Sequence, residues 1–483
     1  MGMKTTGNLD RAAVRVAFGL VLAALVLTSM LIQGREITDD AYILYRYAEN
    51  FGTGNGWVFN PGHPSDNAVT STLTVLLLSV GRAVGISVPI FAAVIYFLAS
   101  SGTAILAWLT LEKFNCRTAG VVWALLIATS PLLVSFWGME SSLYLLLLTL
   151  ALYLAASRCP AWMTGLALGL IVPTRPDGVL VVLALVLVFF VLDKERRLTR
   201  RGWFEFAAAA AVPVVAYACF AYVTFGTVLP STLSAKIAQV QSGYFHSFIP
   251  GVGIAMAGVF PYGQVGPGIF LFVIMMLAVV GLIAVKRGFA WQVALTLLMG
   301  SAAIAVVFGV LRVAAYSWYY VIPFVTLLML GAMGVQAIVE AVAPRAKTPL
   351  LVAACILLAA TGLLQVNTKV APFRTDYAHV SDWLRENTPP ESRIAAMELG
   401  FIGWYSKRSI IDYLGLLDHH ADDFLSARDF TSWPRYYQPD YWVTRGDFID
   451  TPFFESTCFK QTFRHVHQSG NIGVYQRIAP IQC

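Results

Sequence analysis

The sequence predicts an α-helical polytopic membrane protein with a small extracytoplasmic α/β domain at its C-terminal end. Three observations support this prediction. Of the 483 residues, 58% are hydrophobic and only 12% are charged, whereas about a quarter of the residues of a soluble domain are charged. The apolar residues cluster in runs of the length that crosses a bilayer, about 20 residues. The chain from residue 367 onward is hydrophilic and carries the patterns of strands and helices.

Eleven apolar runs are predicted to span the membrane. The first, residues 16–32, is too long for the apolar region of a signal peptide, and no small-residue cleavage site follows it. The other ten cover residues 87–111, 118–136, 141–157, 161–173, 178–192, 203–223, 268–285, 291–311, 319–341 and 349–365. A further run, residues 68–80, is predicted to be a juxtamembrane helix in the membrane interface. Counting it as a span would place the basic cluster 194–201 outside the cytoplasm, against the positive-inside tendency.

The distribution of basic residues predicts the orientation. With eleven spans, the loops assigned to the cytoplasm carry 15 Lys and Arg, against six in the external loops that precede residue 367. We therefore expect a multi-pass protein of the cytoplasmic (inner) membrane with a cytoplasmic N-terminus and an extracytoplasmic C-terminal domain. This loop asymmetry explains the net charge of +6, so the charge does not indicate binding to nucleic acid.

Two domains follow from this topology. Residues 1–366 form the transmembrane domain, with a first external loop (residues 33–86) and a second large external loop (residues 224–267). Residues 367–483 form the C-terminal domain, in which apolar patches predict strands and an amphipathic pattern predicts a helix. The strands are Arg393–Leu399, Tyr441–Val443 and Ile472–Arg477, and the helix is Thr375–Glu386. Cys458 and Cys483 in this domain either form a disulfide bond or are two unrelated thiols.

The first external loop carries two adjacent acids close to the end of the first span. Asp39 and Asp40 precede an amphipathic segment that contains Tyr42 and Arg46. Two carboxylates beside a bilayer are energetically costly, and they suit a site that accepts a proton or binds a divalent cation. The alternative is that one of them caps the helix 41–50. One acid is enough for a cap, so the pair favours a catalytic or metal-binding role.

Further charged and aromatic residues lie in other predicted external loops. They are Glu140, Arg175, Lys236, Arg312, Trp318, Tyr319, Tyr320 and, in the same loop as Lys236, His246. Taken singly, they have simpler explanations: a surface acid, an ion pair within a turn, or an interfacial belt of aromatic residues. Their common position on one face of the membrane favours a shared site. No pair of histidines has zinc-ligand spacing with further ligands nearby, so we predict no structural metal site.

These residue types suit one reaction. The cations Arg175, Lys236, Arg312 and Arg46 can neutralise a phosphate as it leaves, because guanidinium and ammonium groups favour phosphate oxygens. A carboxylate can take the proton from an attacking sugar hydroxyl. The residues expected to contact the substrate are Glu140, Tyr42, His246, Trp318, Tyr319 and Tyr320. Together they predict glycosyl transfer from a polyprenyl-phosphate sugar that is embedded in the lipid bilayer.

The same segments resemble the GT-C glycosyltransferases, above all the arabinofuranosyltransferase-like group that includes the actinobacterial terminal β-(1→2)-arabinofuranosyltransferase. The similar motifs, in order, are residues 39–48, 54–62, 138–141, 175–178, 229–232 with 235–236, 318–320 and 412–416. The resemblance covers nearly the whole chain. It implies the GT-C transmembrane fold, with a seven-helix catalytic module and a more variable helical remainder. It also implies Asp39 and Asp40 as catalytic acids, sometimes alongside a divalent cation, and a decaprenyl- or undecaprenyl-phosphate arabinofuranose as donor.

One segment departs from that group and leaves the substrates open. After Pro61-Gly62 the group has an acidic stretch that ends in Asn-Pro-Leu-Trp, whereas this chain continues with residues 63–72, which begin His-Pro-Ser-Asp. The acceptor is therefore expected to be either a glycan or a surface protein, and the sugar and the stereochemical outcome stay open. The sequence requires no cofactor. The alternative function is a transporter or flippase for a lipid-linked glycan, but transporters carry polar residues within their spans and internal repeats, and neither is evident here.

Overall fold

The computed structural model describes residues 3–34, 37–228, 230–257, 265–285, 290–342, 344–366, 372–418 and 420–482. The α-helices of the transmembrane domain are α1 (Met3–Gln33), α2 (Asp39–Gly52), α3 (Thr72–Ala83), α4 (Val88–Glu112), α5 (Arg117–Ala128), α6 (Pro131–Ser135), α7 (Ser141–Ala156), α8 (Ala161–Thr174), α9 (Val179–Val186), α10 (Arg200–Phe225), α11 (Thr232–Gln241), α12 (Val252–Ala257), α13 (Val265–Val285), α14 (Trp291–Val310), α15 (Val321–Ala341) and α16 (Pro344–Val366). A π-helical segment, Leu187–Leu192, extends α9, and short 3₁₀ segments cover Pro176–Gly178, Lys194–Arg196 and Ser317–Tyr320.

All eleven runs predicted to span the membrane are helical, but they differ in length. Eight helices in the described part of the chain are long and apolar enough to cross a membrane. The runs 141–157, 161–173 and 178–192 form shorter apolar helices. The end of α8 at Thr174 has a local cause. The next residue, Arg175, has extended backbone, because a residue that precedes a proline, here Pro176, disfavours the helical conformation. The chain is a multi-pass membrane protein with a largely helical fold.

The helix α3 corresponds to the run predicted to lie in the interface. Its 12 residues extend about 18 Å at 1.5 Å per residue, which is short of the roughly 30 Å hydrocarbon core. This length is compatible with a juxtamembrane helix, but α8 with 14 residues is nearly as short, so the placement of α3 in the interface stays a prediction. Ser71, which precedes the helix, and Thr74 in its first turn are buried, and their hydroxyl groups are hydrogen-bonded to each other at 2.8 Å.

The C-terminal domain is an α/β structure around one five-stranded sheet. Its strands are β1 (Arg393–Ala396), β2 (Ser409–Asp412), β3 (Tyr441–Thr444), β4 (Phe463–Ser469) and β5 (Ile472–Arg477), in the order β2-β1-β3-β5-β4. The pairs β2-β1 and β1-β3 are parallel, and the pairs β3-β5 and β5-β4 are antiparallel. Its helices are α17 (Pro372–Asn387), α18 (Leu399–Ser406), α19 (His420–Ala427), α20 (Trp433–Tyr437), α21 (Thr451–Phe454) and α22 (Thr457–Thr462).

The predicted elements of this domain are present: the strand Ile472–Arg477 has the predicted bounds, and the bounds of the others differ. The expected strand Arg393–Leu399 ends at Ala396, and Leu399 instead begins α18. The expected helix Thr375–Glu386 lies within α17. Cys483 lies outside the described residues, so its pairing with Cys458 stays a prediction. The free cysteines among the described residues are Cys116, Cys159, Cys219 and Cys355.

The C-terminal domain is held against the first external loop by buried polar contacts. The guanidinium of Arg46, only 6% exposed, donates to the carbonyl oxygens of Phe59 (2.7 Å), Gly403 and Arg408 (2.6 Å). Asn60 exchanges two hydrogen bonds with the backbone of Ile410 in β2, at 2.8 and 2.9 Å. Because buried polar groups without partners are costly, these contacts fix one relative position of the two domains.

Candidate active site

Three cavities adjoin one another in this part of the molecule: the central and outer cavities have walls from both domains, whereas the apolar cavity is lined by the transmembrane domain alone. The central cavity, about 70 Å³, is lined by Asp40, Ile43, Leu44, Ala68, Val69, Thr70, Met139, Glu140, Arg175, Thr232, Lys236, Trp318, Tyr319 and Leu416. The outer cavity, about 310 Å³, is lined by Thr38, Asp39, Asp40, Lys236, Gln239, Phe245, Tyr316, Trp318, Met397, Glu398, Leu399, Phe401, Leu414, Leu416 and Phe448. The apolar cavity, about 270 Å³, is lined by Thr70, Arg175, Pro176, Asp177, Val179, Leu180, Pro230, Thr232, Leu233, Lys236, Val307, Phe308, Leu311, Val313 and Tyr319.

The central cavity connects the other two, because it shares lining residues with each of them. Asp40 and Trp318 line both the central and the outer cavity. Arg175 and Tyr319 line both the central and the apolar cavity. Lys236 lines all three. The apolar cavity, the central cavity with its charged residues and the outer cavity therefore adjoin one another in that order.

The two acids of the first external loop have different surroundings. Both lie in the first turn of α2, where consecutive side chains point about 100° apart. The carboxylate of Asp39 accepts hydrogen bonds from the backbone amides of Gly400 (3.0 Å) and Phe401 (2.6 Å), at the start of α18. The carboxylate of Asp40 has no hydrogen-bond or ion-pair partner among the described residues, and it faces the central and outer cavities. Asp39 joins the domains, whereas Asp40 is available to a substrate.

Burial raises the pKa of both carboxyl groups. For Asp39 the burial effect is reinforced by the neighbouring charges of Asp40 and Glu398, and it is opposed by the two amide hydrogen bonds from α18. For Asp40 burial is opposed by the positive charge of Lys236. A carboxyl group with a raised pKa is a stronger base once it is deprotonated, which suits proton abstraction at an active site.

Lys236 is the cation that faces Asp40. It lies on α11, which is tied to the first external loop because Ser231 donates to the carbonyl of Asn67 through its backbone amide (3.2 Å) and its hydroxyl (2.8 Å). The side chain is 5% exposed, and its ammonium nitrogen lies 3.7 Å from the ring centroid of Tyr316. No carboxylate of the described chain lies within ion-pair distance of it. Burial lowers the pKa of Lys236, and the charge of Asp40 opposes this effect.

Arg175 lies in a buried cluster with two acids. Its Nη1 donates to Glu140 (3.0 Å), while Nε and Nη2 donate to the two oxygens of Asp177 (3.1 and 3.2 Å). The guanidinium also lies over the rings of Tyr144 and Tyr319, at 5.9 and 5.5 Å. The two carboxylates raise the pKa of Arg175, and burial raises that of Glu140. A guanidinium has five N–H groups, so two remain for a ligand in the adjoining cavities.

The structure does not bring every predicted residue to the cavities. Glu140, Trp318 and Tyr319 line them, as described above. The predicted residues that do not line them are Arg46, Tyr42, Tyr320, His246 and Arg312. Arg46 is occupied by carbonyl oxygens at the domain interface, where Tyr42 contacts the hydroxyl of Tyr405 at 2.8 Å. Tyr320 stacks on Phe248 at 4.5 Å, and His246 and Arg312 are exposed.

Several lining residues were not predicted. Glu398 precedes α18, lines the outer cavity and accepts a hydrogen bond from the hydroxyl of Tyr377 at 2.7 Å. Tyr316 supports Lys236 and donates to Gln239 at 2.8 Å. Asp412, in a motif that was singled out, accepts three backbone amides of residues 414–417 and so shapes the loop whose leucines line the outer cavity. Only this last residue lay in a recognisable sequence pattern.

A divalent cation would have to be held by few protein ligands. Among the described residues there is no group of three or more His, Cys, Asp or Glu side chains that could hold a metal ion. Asp40 is the acid of the pair whose oxygens are not engaged by protein groups, so it is the candidate ligand within the cavities. Metal binding by Asp39 and Asp40 stays a prediction.

Comparisons with known proteins agree with this architecture. A family model described as a domain of unknown function (DUF8728) matches residues 367–477. No curated protein matches the sequence. The structure of ArnT from Cupriavidus metallidurans bound to undecaprenyl phosphate is similar, with a TM-score of 0.61, 13% identity, and coverage of 98% of this chain and 99% of that chain.

The archaeal oligosaccharyltransferase AglB from Archaeoglobus fulgidus, in complex with an inhibitory peptide and a dolichol-phosphate, is also similar. Its TM-score is 0.56 at 11% identity, over 90% of this chain and 69% of that chain. An oligosaccharyltransferase from Archaeoglobus fulgidus in the apo form has a TM-score of 0.55 at 11% identity, over 89% and 69% of the two chains. At these identities the likeness concerns the fold. The chain therefore has the GT-C transmembrane fold with a small C-terminal α/β domain.

Proposed function

We propose that this protein is a membrane glycosyltransferase that moves a sugar from a polyprenyl-phosphate donor to an extracytoplasmic acceptor. The observation that carries the proposal is the position of Asp40. Its carboxylate has no partner within the described part of the chain, and it faces Lys236 where the central cavity meets the outer cavity. A base and a cation that line the same two cavities match the two charges that develop when a hydroxyl displaces a phosphate.

In the proposed reaction the acceptor hydroxyl forms a bond to the anomeric carbon, and the bond between that carbon and the phosphate oxygen breaks. Asp40 takes the hydroxyl proton, and the polyprenyl phosphate leaves with the bonding electrons. Lys236 stabilises the negative charge that grows on the phosphate, and the two remaining N–H groups of Arg175 provide further donors. Fixed charges of this kind act most strongly in a site from which water is excluded.

The apolar cavity supports a lipid-linked donor. Its walls are aliphatic and aromatic side chains of α9, α14 and the second external loop, among them Leu180, Leu233 and Val307. It meets the central cavity at Arg175 and Lys236. A polyprenyl phosphate has a matching arrangement, because its apolar chain suits the apolar cavity and its anionic phosphate suits the two cations. The similar structures were solved with undecaprenyl phosphate and with a dolichol-phosphate bound, which is consistent with this class of donor.

The finer assignment rests on the sequence. The resemblance of residues 39–48 and the later motifs to the arabinofuranosyltransferase-like group makes D-arabinofuranose our candidate sugar, with decaprenyl or undecaprenyl phosphate as the carrier. The acceptor is then a glycan or a surface protein outside the cytoplasm. The charge distribution of the loops supports a cytoplasmic (inner) membrane location with the cavities on the external face.

The proposal is tested by incubating purified protein in lipid nanodiscs with a panel of polyprenyl-phosphate sugars and measuring which donor is consumed. Consumption of a donor that stops with Asp40→Asn supports the proposal. If no donor is consumed, but the protein moves a lipid-linked glycan between the leaflets of a liposome, glycosyl transfer is wrong and the transporter alternative is correct.

A second variant tests the lipid path. Val307 on α14 lines the apolar cavity, so Val307→Trp should fill part of it and raise the KM for a long-chain donor. The KM for a short-chain analogue should change little, because a short chain does not need that volume. Val306→Trp is the matched control, since Val306 is 64% exposed on the same helix and does not line the cavity. Equal effects of the two variants on the long-chain donor would contradict the assignment.

A further inference from the structure

The outer cavity has walls from both domains and a composition of its own. The transmembrane domain provides Asp40, Lys236 and Tyr316, and the C-terminal domain provides Glu398 and Phe401. Its aromatic residues are Phe245, Tyr316, Trp318, Phe401 and Phe448. The proposed transfer uses the central and apolar cavities for the donor, so the outer cavity is the space that remains for the acceptor.

Glu398 is held in a defined position at this cavity. One of its carboxylate oxygens accepts the hydrogen bond of the Tyr377 hydroxyl at 2.7 Å. Tyr377 is itself 2% exposed, and its ring stacks parallel to that of Phe401 at a centroid distance of 6.4 Å. A carboxylate has about four acceptor positions, so one bond to Tyr377 orients Glu398 and leaves capacity for a ligand.

The charged residues of the outer cavity indicate which functional groups a ligand there should carry. Three carboxylates line it, those of Asp39, Asp40 and Glu398, against the single ammonium group of Lys236. Carboxylates accept hydrogen bonds but donate none when ionised, so they suit hydroxyl groups. Lys236 is the single cation among the described residues that line the cavity, so an anionic acceptor would find few partners for its charge. Aromatic rings beside hydroxyl-binding groups suit the apolar faces of a sugar ring.

We propose that the outer cavity binds a neutral carbohydrate as the acceptor, and that Glu398, positioned by Tyr377, binds an acceptor hydroxyl group. This inference rests on the proposed glycosyl transfer and deepens it by naming the acceptor class. It also gives the C-terminal domain a specific part in the reaction, since that domain supplies Glu398 as a residue that selects the acceptor.

The test compares Glu398→Gln with the wild type in acceptor and donor kinetics. Loss of a hydrogen bond to a charged group should raise the KM for a neutral oligosaccharide acceptor about tenfold or more, with the donor KM and the slow transfer of the sugar to water unchanged. Tyr377→Phe should raise the same KM by a smaller factor, because it removes only the hydroxyl that orients Glu398. Glu455→Gln is the matched control, since Glu455 is exposed in the same domain and should have wild-type kinetics.

Two outcomes would overturn the inference. The first is an acceptor KM that is unchanged in Glu398→Gln at a wild-type melting temperature. The second is a wild-type enzyme that glycosylates peptides but no neutral oligosaccharide, which would assign the cavity to a protein acceptor.

Binding of oligosaccharides without donor, followed by saturation-transfer NMR, separates this inference from the proposed function. If no donor is consumed but binding depends on Glu398, glycosyl transfer fails and the carbohydrate site stands. If a donor is consumed and no oligosaccharide binds, only this inference fails.

Discussion

Separate substitution of the two neighbouring acids should have opposite effects on activity and stability. Asp40→Asn removes the carboxylate that faces the cavities, while Asp39→Asn changes the carboxylate that binds the amides of Gly400 and Phe401. Both changes keep the size of the side chain and remove one possible negative charge. Any difference between the two variants therefore results from the positions of the two carboxylates and not from the type of substitution.

The expected effect of Asp40→Asn is on catalysis. A general base contributes about 10²- to 10⁴-fold to the rate, so kcat should fall by this factor. The Asp40 carboxylate makes no hydrogen bond to the described residues, and its pKa is raised mainly by burial. Its ionised form is thus poorly stabilised by the fold, and replacing it with a neutral amide should not lower the melting temperature.

The expected effect of Asp39→Asn is on stability. The amide oxygen can replace one carboxylate oxygen as an acceptor for Phe401 or Gly400, but the amide nitrogen then faces the other backbone N–H. A buried donor left without its acceptor costs about 1–3 kcal/mol. The melting temperature should fall. The kcat, measured well below that temperature, should fall far less than in Asp40→Asn, because Asp40 itself is unchanged and one of the two amide hydrogen bonds that hold the first turn of α2 remains.

The assay measures donor consumption and thermal unfolding on the same detergent-purified samples. Gly400→Ala provides an independent test of the contact, since a Cβ atom there would lie 2.0 Å from the backbone oxygen of Asp39 and should lower the melting temperature without removing a carboxylate. The reasoning is refuted if Asp39→Asn is inactive at full stability while Asp40→Asn keeps wild-type turnover.

Two further predictions concern the cations. Arg175→Gln should lower the free energy of unfolding by about 3–5 kcal/mol, because it leaves buried acids without their counter-ion. Adding Glu140→Gln should restore part of this loss, as measured by chemical denaturation. If the effects of the two substitutions on the free energy of unfolding are simply additive, the proposed interaction of Arg175 with Glu140 is wrong. In the pH profile of kcat/KM, Asp40 is active only when deprotonated, so activity should fall as the pH drops through its raised pKa. Since Lys236 lowers that pKa, Lys236→Gln should move the acid limb of the profile to higher pH. If the limb does not move, Lys236 does not influence the pKa of the catalytic base.

The helical architecture was predictable because it depends on local composition. Every apolar run became a helix. The run 68–80 was separated from the spans by the distribution of basic residues in the loops and not by its length, since the run 161–173 is equally short. The strands were less predictable: β2 and β4 were missed. β2 has only two apolar residues, which are adjacent, and β4 contains an irregularity between His465 and His467, so that neither shows a clean alternation of apolar and polar residues.

The site was predictable in its residue types and less so in its geometry. The pair Asp39–Asp40 and the cation Lys236 were identified from their predicted position in external loops. Arg46 has the chemistry of a phosphate ligand, but its guanidinium is taken by carbonyl oxygens of Gly403 and Arg408. These partners are more than 350 residues away along the chain, and no local pattern indicates such a contact. Glu398 was not predicted either, because no local sequence pattern indicates that it lines the outer cavity.

The positions of Asp39 and Asp40 connect the docking of the C-terminal domain to the proposed chemistry. The side chains of adjacent residues on a helix point in different directions, so the two carboxylates contact different groups and have different roles. Because Asp39 is fixed by α18, the first turn of α2 is held in place and the neighbouring Asp40 is held towards Lys236. The same α18 follows Glu398 directly, so one contact sets the distance between the base and the residue that we propose to bind the acceptor. The C-terminal domain therefore positions the catalytic carboxylate as well as closing the cavity.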